Sequence, residues 1–153
     1  MMEASAANFR EILERDGRLV YTCRGVSMLP LLRQKRDVVI LEKKTVARCK
    51  RLDTVLFVRA NGQYVLHRIL KVLDGGYWIV GDNCVGGENV REEQVIGVLT
   101  AVKRGSRTIR MTDWDYKLYS HLWCDAYPVR FFLLRVKSFV FRGLRYVKRK
   151  VVG

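Results

Sequence analysis

No stretch of about 18 apolar residues occurs in this chain, so no segment reads as a helix crossing a bilayer. The opening run, MMEASAANFREILERDG, has mixed charge and no apolar core, which excludes reading it as a secretory signal peptide. Cys23, Cys49, Cys84 and Cys124 form no Cys-x-x-Cys pair, and their gaps match no zinc pattern; no metal and no cofactor are expected. Without an export signal the thiols are expected to be free, two disulfides being the alternative in an oxidising compartment. There is no internal repeat and no low-complexity linker. Acid is scarce: Lys and Arg number 29 against 15 Asp and Glu, a net charge of +14. That excess points to an anionic partner, either nucleic acid or an anionic membrane surface, and charge alone does not choose between them.

The length of 153 residues fits one domain, and a 49% hydrophobic fraction is enough for a real core. Ala4 to Arg15 predicts a short helix, with Phe9, Ile12 and Leu13 on one face and Asp16-Gly17 ending it. From Arg18 to about Arg110 the texture is short β-rich runs: Leu19–Cys23, Val38–Leu41, Thr54–Arg59, Tyr64–Leu73, Tyr77–Val80, Val95–Lys103 and Thr108–Met111. Asn61-Gly62, Asp74-Gly75-Gly76, Gly86-Gly87 and Arg104-Gly105-Ser106 break them. Asn-Gly between two such runs is a hairpin signal. The spacing predicts a mainly β protein, a compact barrel or coiled sheet.

After Thr112 the texture turns helical, with Thr112 or Asp113 as N-cap and Pro128 breaking the helix or opening a new one. The chain thus divides into a β body, 1–111, and a helical extension, 112–153. Val129 to Val152 holds eight Lys or Arg and no acid. At about 100° per residue Phe132, Val136, Phe139, Val140, Leu144 and Val147 share one face, while Arg135, Arg142, Arg145 and Arg149 share another, which predicts a basic amphipathic helix. Two readings stand: a helix packed on the β body with its basic face in water, or an in-plane anchor with Phe132 and Phe139 in the headgroup boundary and the arginines on anionic lipid. Trp114 and Trp123 suit an interface and a core equally.

Three local patterns carry chemistry. Gly25-Val26-Ser27-Met28-Leu29-Pro30 follows a predicted strand, and its Gly and Pro bracket a turn presenting Ser27. His67, in Tyr64-Val65-Leu66-His67-Arg68-Ile69, alternates onto the side of Val65 and Ile69, away from Leu66, Arg68 and Leu70. A histidine on an apolar face is commonly a core residue, but a neutral imidazole also serves as a general base near pH 7. Gly81-Asp82-Asn83 closes the run Tyr77–Val80, as a plain turn or as a support for His67. His121 reads as structural.

Together and in this order, the three patterns resemble the type I signal peptidases, in the archaeal and endoplasmic-reticulum branch where histidine replaces the lysine base. Asp53–Phe57 resembles that family's Gly-Asp-x-Val strand start, and Val90 to Val98 the strand closing its catalytic domain. The likeness spans residues 19 to 103. It departs at Arg36-Asp37 and Leu52-Asp53, where the family has Gly-Asp, at Cys84 after Gly-Asp-Asn, and in the family's amino-terminal membrane anchor.

The resemblance implies Ser27 as nucleophile, His67 as general base and Asp82 as the acid that positions the imidazole. It places Glu88 where the family has a second acid, and Met28 in the site with its backbone N–H, or that of Ser27, donating to the oxyanion. It implies an extended peptide substrate cut after small residues. The expected function is a serine endopeptidase acting on signal or leader peptides, cytoplasmic or peripheral at the inner face of the cell membrane. The alternative is a non-catalytic leader-peptide or membrane-binding module of the same fold. Specific nucleic-acid binding is not expected: the first 18 residues are too short for a helix-turn-helix domain. A cysteine peptidase pairing Cys84 with His67 lacks a motif.

Overall fold

The computed structural model describes residues 9–130, 132–136 and 139. The elements run α1 (Phe9–Asp16), β1 (Arg18–Thr22), β2 (Val38–Lys43), β3 (Thr54–Val58), β4 (Tyr64–Leu73), β5 (Gly76–Val80), β6 (Gly87–Arg91), β7 (Val95–Arg104), β8 (Arg107–Arg110) and α2 (Trp114–Asp125). The protein is mainly β, as its patterning predicts. Of the two expected forms, barrel or coiled sheet, it takes the open one. The strands form one antiparallel sheet in the order β1-β2-β7-β3-β4-β5-β6, with β8 paired to β7. The sheet does not close, which leaves β1 and β6 at its edges.

Turn chemistry sets the register. Gly62 has φ +81°, a region that costs glycine nothing, and the Asn61 side chain accepts from Gln63 N–H at 3.1 Å. That turn joins β3 to β4 with Val58 opposite Tyr64 and Val55 opposite His67. One segment differs from expectation. Val90 to Val98 is not one strand. β6 ends at Arg91, a single 3₁₀ turn occupies Glu92–Gln94, and β7 starts at Val95. The Gln94 side chain accepts from Arg91 N–H at 2.9 Å and donates to the Val58 carbonyl at 2.9 Å, fixing the corner. The run of alternating apolar residues hid that corner, and Gly86-Gly87, read as a break, is where β6 begins.

Both sheet faces are covered. Phe9 and Leu13 of α1 pack with Leu19, Met28, Leu32, Leu41, Leu56 and Leu99. Val55, Phe57, Ile69, Tyr77, Ile79 and Val90 form a second cluster. Leu70, Val80 and Cys124 form a third beneath α2. Each residue of Leu66–Leu70 is buried, so β4 is a central strand and its two polar members, His67 and Arg68, sit inside the protein on opposite faces.

The serine segment is a closed loop. Cys23 N–H donates to the Asp37 carbonyl at 2.9 Å and Lys35 N–H to the Cys23 carbonyl at 3.0 Å. The buried Asp37 carboxylate receives Arg36, Arg104 and the Arg33 N–H. Burial works against its charge, yet these donors hold it well below the usual carboxylate range. Leu52, where the resembled family has glycine, takes φ +77°, costing about 1–2 kcal/mol for an L-residue. All four cysteines are free thiols.

Candidate active site

A cleft of about 800 Å³ opens between β1 and the β3–β4 hairpin. Tyr21, Thr22 and Cys23 line one wall, Tyr64 to His67 the other, and Ser27, Met28 and Cys84 the end. Among the described residues β1 pairs only with β2, and its other edge leads along the cleft to Ser27.

Ser27 lies half-buried in the predicted turn, next to the buried Met28. Leu29–Pro30 in that turn is cis. The turn is tied to the Gly81–Cys84 loop: Asn83 N–H donates to the Ser27 carbonyl at 2.7 Å, and Asn83 Nδ2 to the Val26 carbonyl at 3.1 Å. Gly81 is where the pieces converge. A Cβ built on it lies 2.6 Å from Cys84 Sγ, 2.7 Å from the Ser27 carbonyl oxygen and 2.9 Å from His67 Nε2. Ser27 and the Nε2 side of the imidazole thus close around one backbone point that admits no side chain. The Ser27 hydroxyl has no hydrogen-bond partner among the described residues, and neither do the Ser27 and Met28 backbone N–H groups. Two amides at the serine turn are therefore unpaired among the described residues, and serine–histidine bonds commonly tighten only with substrate bound.

His67 is buried, its ring 6.2 Å from that of Phe57. Burial pulls its pKa below the ordinary value; Glu88 opposes the shift, Arg59 adds to it and Asp82 opposes it weakly. The imidazole is accordingly neutral at pH 7, the form a general base needs.

The acid beside the imidazole is Glu88. Its Oε1 stands 3.8 Å from His67 Nδ1. Register explains the meeting: Ile69 pairs with Ile79 and Ile79 with Glu88, so Glu88 shares the face that Ile69 shares with His67. Arg59 holds the carboxylate from the other side, with Nε and Nη2 donating to its two oxygens at 2.8 and 2.6 Å. These bonds keep the Glu88 carboxyl below its ordinary value.

Asp82 lies elsewhere. Its carboxylate accepts both Arg68 Nε and Nη2, at 2.9 and 2.8 Å, and the Tyr119 hydroxyl at 3.0 Å. Both ion-pair partners are fully buried. Arg68 also donates through Nη1 to Tyr116, Ser120 and the Leu52 carbonyl. Asp82 was expected to position the imidazole; it positions Arg68 instead, because neighbours in a strand point to opposite faces and Asp82 lies on the Arg68 side. Its effect on His67 is the weak Coulombic one noted above, and its loop is held by Trp123 Nε1, which donates to the Asp82 carbonyl at 2.9 Å.

Sequence reasoning did not find Arg59, the close approach at Gly81 or the α2 contacts to Arg68. Arg59 follows Val55 and Phe57 at alternate positions, which places it on the His67 face once the Asn61-Gly62 hairpin is accepted. Nothing in the sequence pairs Tyr116, Tyr119 and Ser120 with Arg68. Cys84 lines the cleft, but burial raises its thiol pKa, the opposite of an activated cysteine. His121 is exposed and pairs with Asp125 at 3.1 Å, within α2. Among the described residues no His, Cys, Asp or Glu cluster suits a metal ion.

The helical extension divides. Tyr116, Ser120 and Cys124 of α2 are buried, whereas Trp114 is 77% exposed. Of the two tryptophans, Trp123 serves the interior and Trp114 the surface. Residues 127–130 and 132–136 are helical beyond Pro128. Phe132, Phe139 and Arg135 are exposed, so the sheet does not cover this part of the apolar face. Arg142, Arg145 and Arg149 lie outside the described residues. No helix among the described residues is long and apolar enough to cross a membrane.

No protein-family model matches the chain, and no curated protein matches it.

Proposed function

We propose that the protein is a serine endopeptidase of the signal-peptidase type that cuts signal or leader peptides after small residues. The carrying observation is the convergence at Gly81. The Ser27 turn and His67 Nε2 meet there, and Glu88 stands at Nδ1 on the far side of the same ring. That order, serine to imidazole to carboxylate, is what nucleophilic catalysis by serine requires.

His67 Nε2 takes the Ser27 proton as Oγ attacks the scissile carbonyl. The oxyanion is met by the open amides of Ser27 and Met28, each such donor commonly worth about 2.7–4 kcal/mol. His67 returns the proton to the leaving amine, and water then hydrolyses the acyl-enzyme through the same base. Glu88, held ionised by Arg59, stabilises the imidazolium formed in each half-reaction. The substrate extends along the free edge of β1, adding a strand to the sheet, with its carbonyl delivered to Ser27. The basic helical extension suits a place on the cytoplasmic side, peripheral to the inner face of the membrane, where the leaflet is anionic.

A fluorophosphonate probe read by intact mass tests the reading. Labelling of wild type, with none of Ser27→Ala or His67→Ala, is the expected outcome. A folded wild type that binds leader peptide but forms no adduct and no acyl-enzyme supports the non-catalytic module instead.

A further inference from the structure

Among the described residues thirteen large hydrophobic side chains are exposed, and eight of them fall between Trp114 and Phe139. Trp114, Leu118 and Leu122 recur at every fourth residue of α2, 50–77% exposed, and five more follow from Val129 to Phe139 at helical spacing. The opposite side of α2 is committed to the sheet through Tyr116, Tyr119 and Ser120. Among the described residues, the helix therefore has two apolar faces and only one partner. Its acids do not make the free face negative: Asp115 pairs with Arg107 at 2.6 Å, and Asp125 with Arg51 at 2.5 Å. The buried Arg130 guanidinium stacks 4.8 Å from the Tyr127 ring and 5.7 Å from Trp123, tying the following segment to α2.

We infer that the outer face of α2 and the exposed apolar residues described after it, from Val129 to Phe139, form one docking surface for an anionic lipid bilayer. Charge selects that occupant. In the sequence, residues 129–153 follow α2 and carry eight Lys or Arg and no acid. A second copy of the chain would bring those cations against themselves; anionic headgroups attract them while the acyl boundary receives the apolar side chains. The new element is Trp114, Leu118 and Leu122, which extend the surface onto the helix that clamps Arg68 and Asp82. The inference is independent of the peptidase reading.

The test is co-sedimentation of the full chain with phosphatidylcholine vesicles, with and without about 30% phosphatidylglycerol. Wild type is expected to bind the anionic vesicles at least about tenfold more tightly than the neutral ones, and L118Q/L122Q to lose about tenfold or more on the anionic vesicles. Both leucines are exposed, so the variant keeps its circular dichroism and melting temperature. Tryptophan emission shifts to the blue on binding, and W114F removes most of that shift. Equal binding by wild type and L118Q/L122Q overturns the proposal, as does failure of wild type to bind anionic vesicles. A concentration-dependent dimer of wild type that L118Q/L122Q dissolves assigns the face to a second copy and overturns it equally.

Discussion

Glu88 and Arg59 act on the His67 imidazole with opposite signs, and that opposition is measurable. In the proposed reaction His67 is a general base that works only when unprotonated, so the acid limb of kcat/KM should follow its pKa. Glu88 raises that pKa and Arg59 lowers it. Glu88→Gln should therefore move the limb to lower pH and Arg59→Gln should move it to higher pH. Glu88→Gln should also lower kcat by about tenfold or more, short of the roughly 10⁴-fold seen when a tightly bonded triad acid is lost, because 3.8 Å is longer than a hydrogen bond. A pH–rate profile of the two variants decides; shifts in the same direction would remove Glu88 from the imidazole's surroundings. Gly81 supplies a second residue-scale prediction. Gly81→Ala drives a methyl group to 2.7 Å from the Ser27 carbonyl and 2.9 Å from His67 Nε2. Either the serine turn or the imidazole must yield, so fluorophosphonate labelling should fall by about a hundredfold, as misplacements near 1 Å do, while a Gly86→Ala control, which meets nothing within 4 Å, should label normally.

At the scale of elements, α2 is a structural brace rather than an appendage. Its Tyr116, Tyr119 and Ser120 hydroxyls complete the coordination of a fully buried ion pair between β4 and the loop after β5. Removing one charge from such a pair strands the other, commonly at about 3–5 kcal/mol. Asp82→Asn should thus lower stability by that order in urea titration. Tyr116→Phe, losing one hydrogen bond to a charged group, should cost about 1.5–3 kcal/mol. In Asp82→Asn the acid limb of the pH–rate profile should move less than in Glu88→Gln; a larger movement would return Asp82 to the role the sequence suggested. The strands were legible because turn residues and alternation mark them locally, as Tyr64–Leu73 illustrates end to end. The candidate pair Ser27 and His67 could be named from the sequence only through the resemblance, whose motifs come in a fixed order along the chain. The partner of Asp82 was not, because its assignment depends on which face of β4 each neighbour occupies and on a helix more than thirty residues later. β6 was missed because a corner made by side-chain hydrogen bonds leaves no apolar signature.

For the molecule as a whole, the buried titratable groups define a window of pH stability. The Asp37 carboxyl is held low by Arg36, Arg104 and the Arg33 amide against the cost of burial, and Glu88 is held low by Arg59. A carboxyl whose folded value is depressed contributes stability above its unfolded value near 4, and loses it as pH falls below that. His67, depressed by burial, adds to the loss earlier, from about 6.5 downward, because the unfolded chain takes up the proton first. Burial raises Asp53, which works the other way in the carboxylate range, but Asp16, Glu92 and Asp125 are lowered along with Asp37 and Glu88, so it is one group against five. On the alkaline side, burial pushes the Cys23 and Cys124 thiols up to about 11 and raises Tyr21 and Tyr119. Groups with raised folded values contribute stability fully below their unfolded values, near 9 to 10, and lose it as pH climbs through the folded ones. The melting temperature should therefore be flat between about pH 7 and 9 and fall on both sides. The net charge of +14 steepens the acid side, since each carboxyl that protonates adds to the self-repulsion. Asp37→Asn separates these causes: it should lower the plateau and flatten the fall below about pH 4, leaving the slope from 6.5 to 5 to His67. Thermal scans of wild type and Asp37→Asn across pH 3 to 10 measure this directly, and an unchanged acid slope in the variant would take Asp37 out of the acid response.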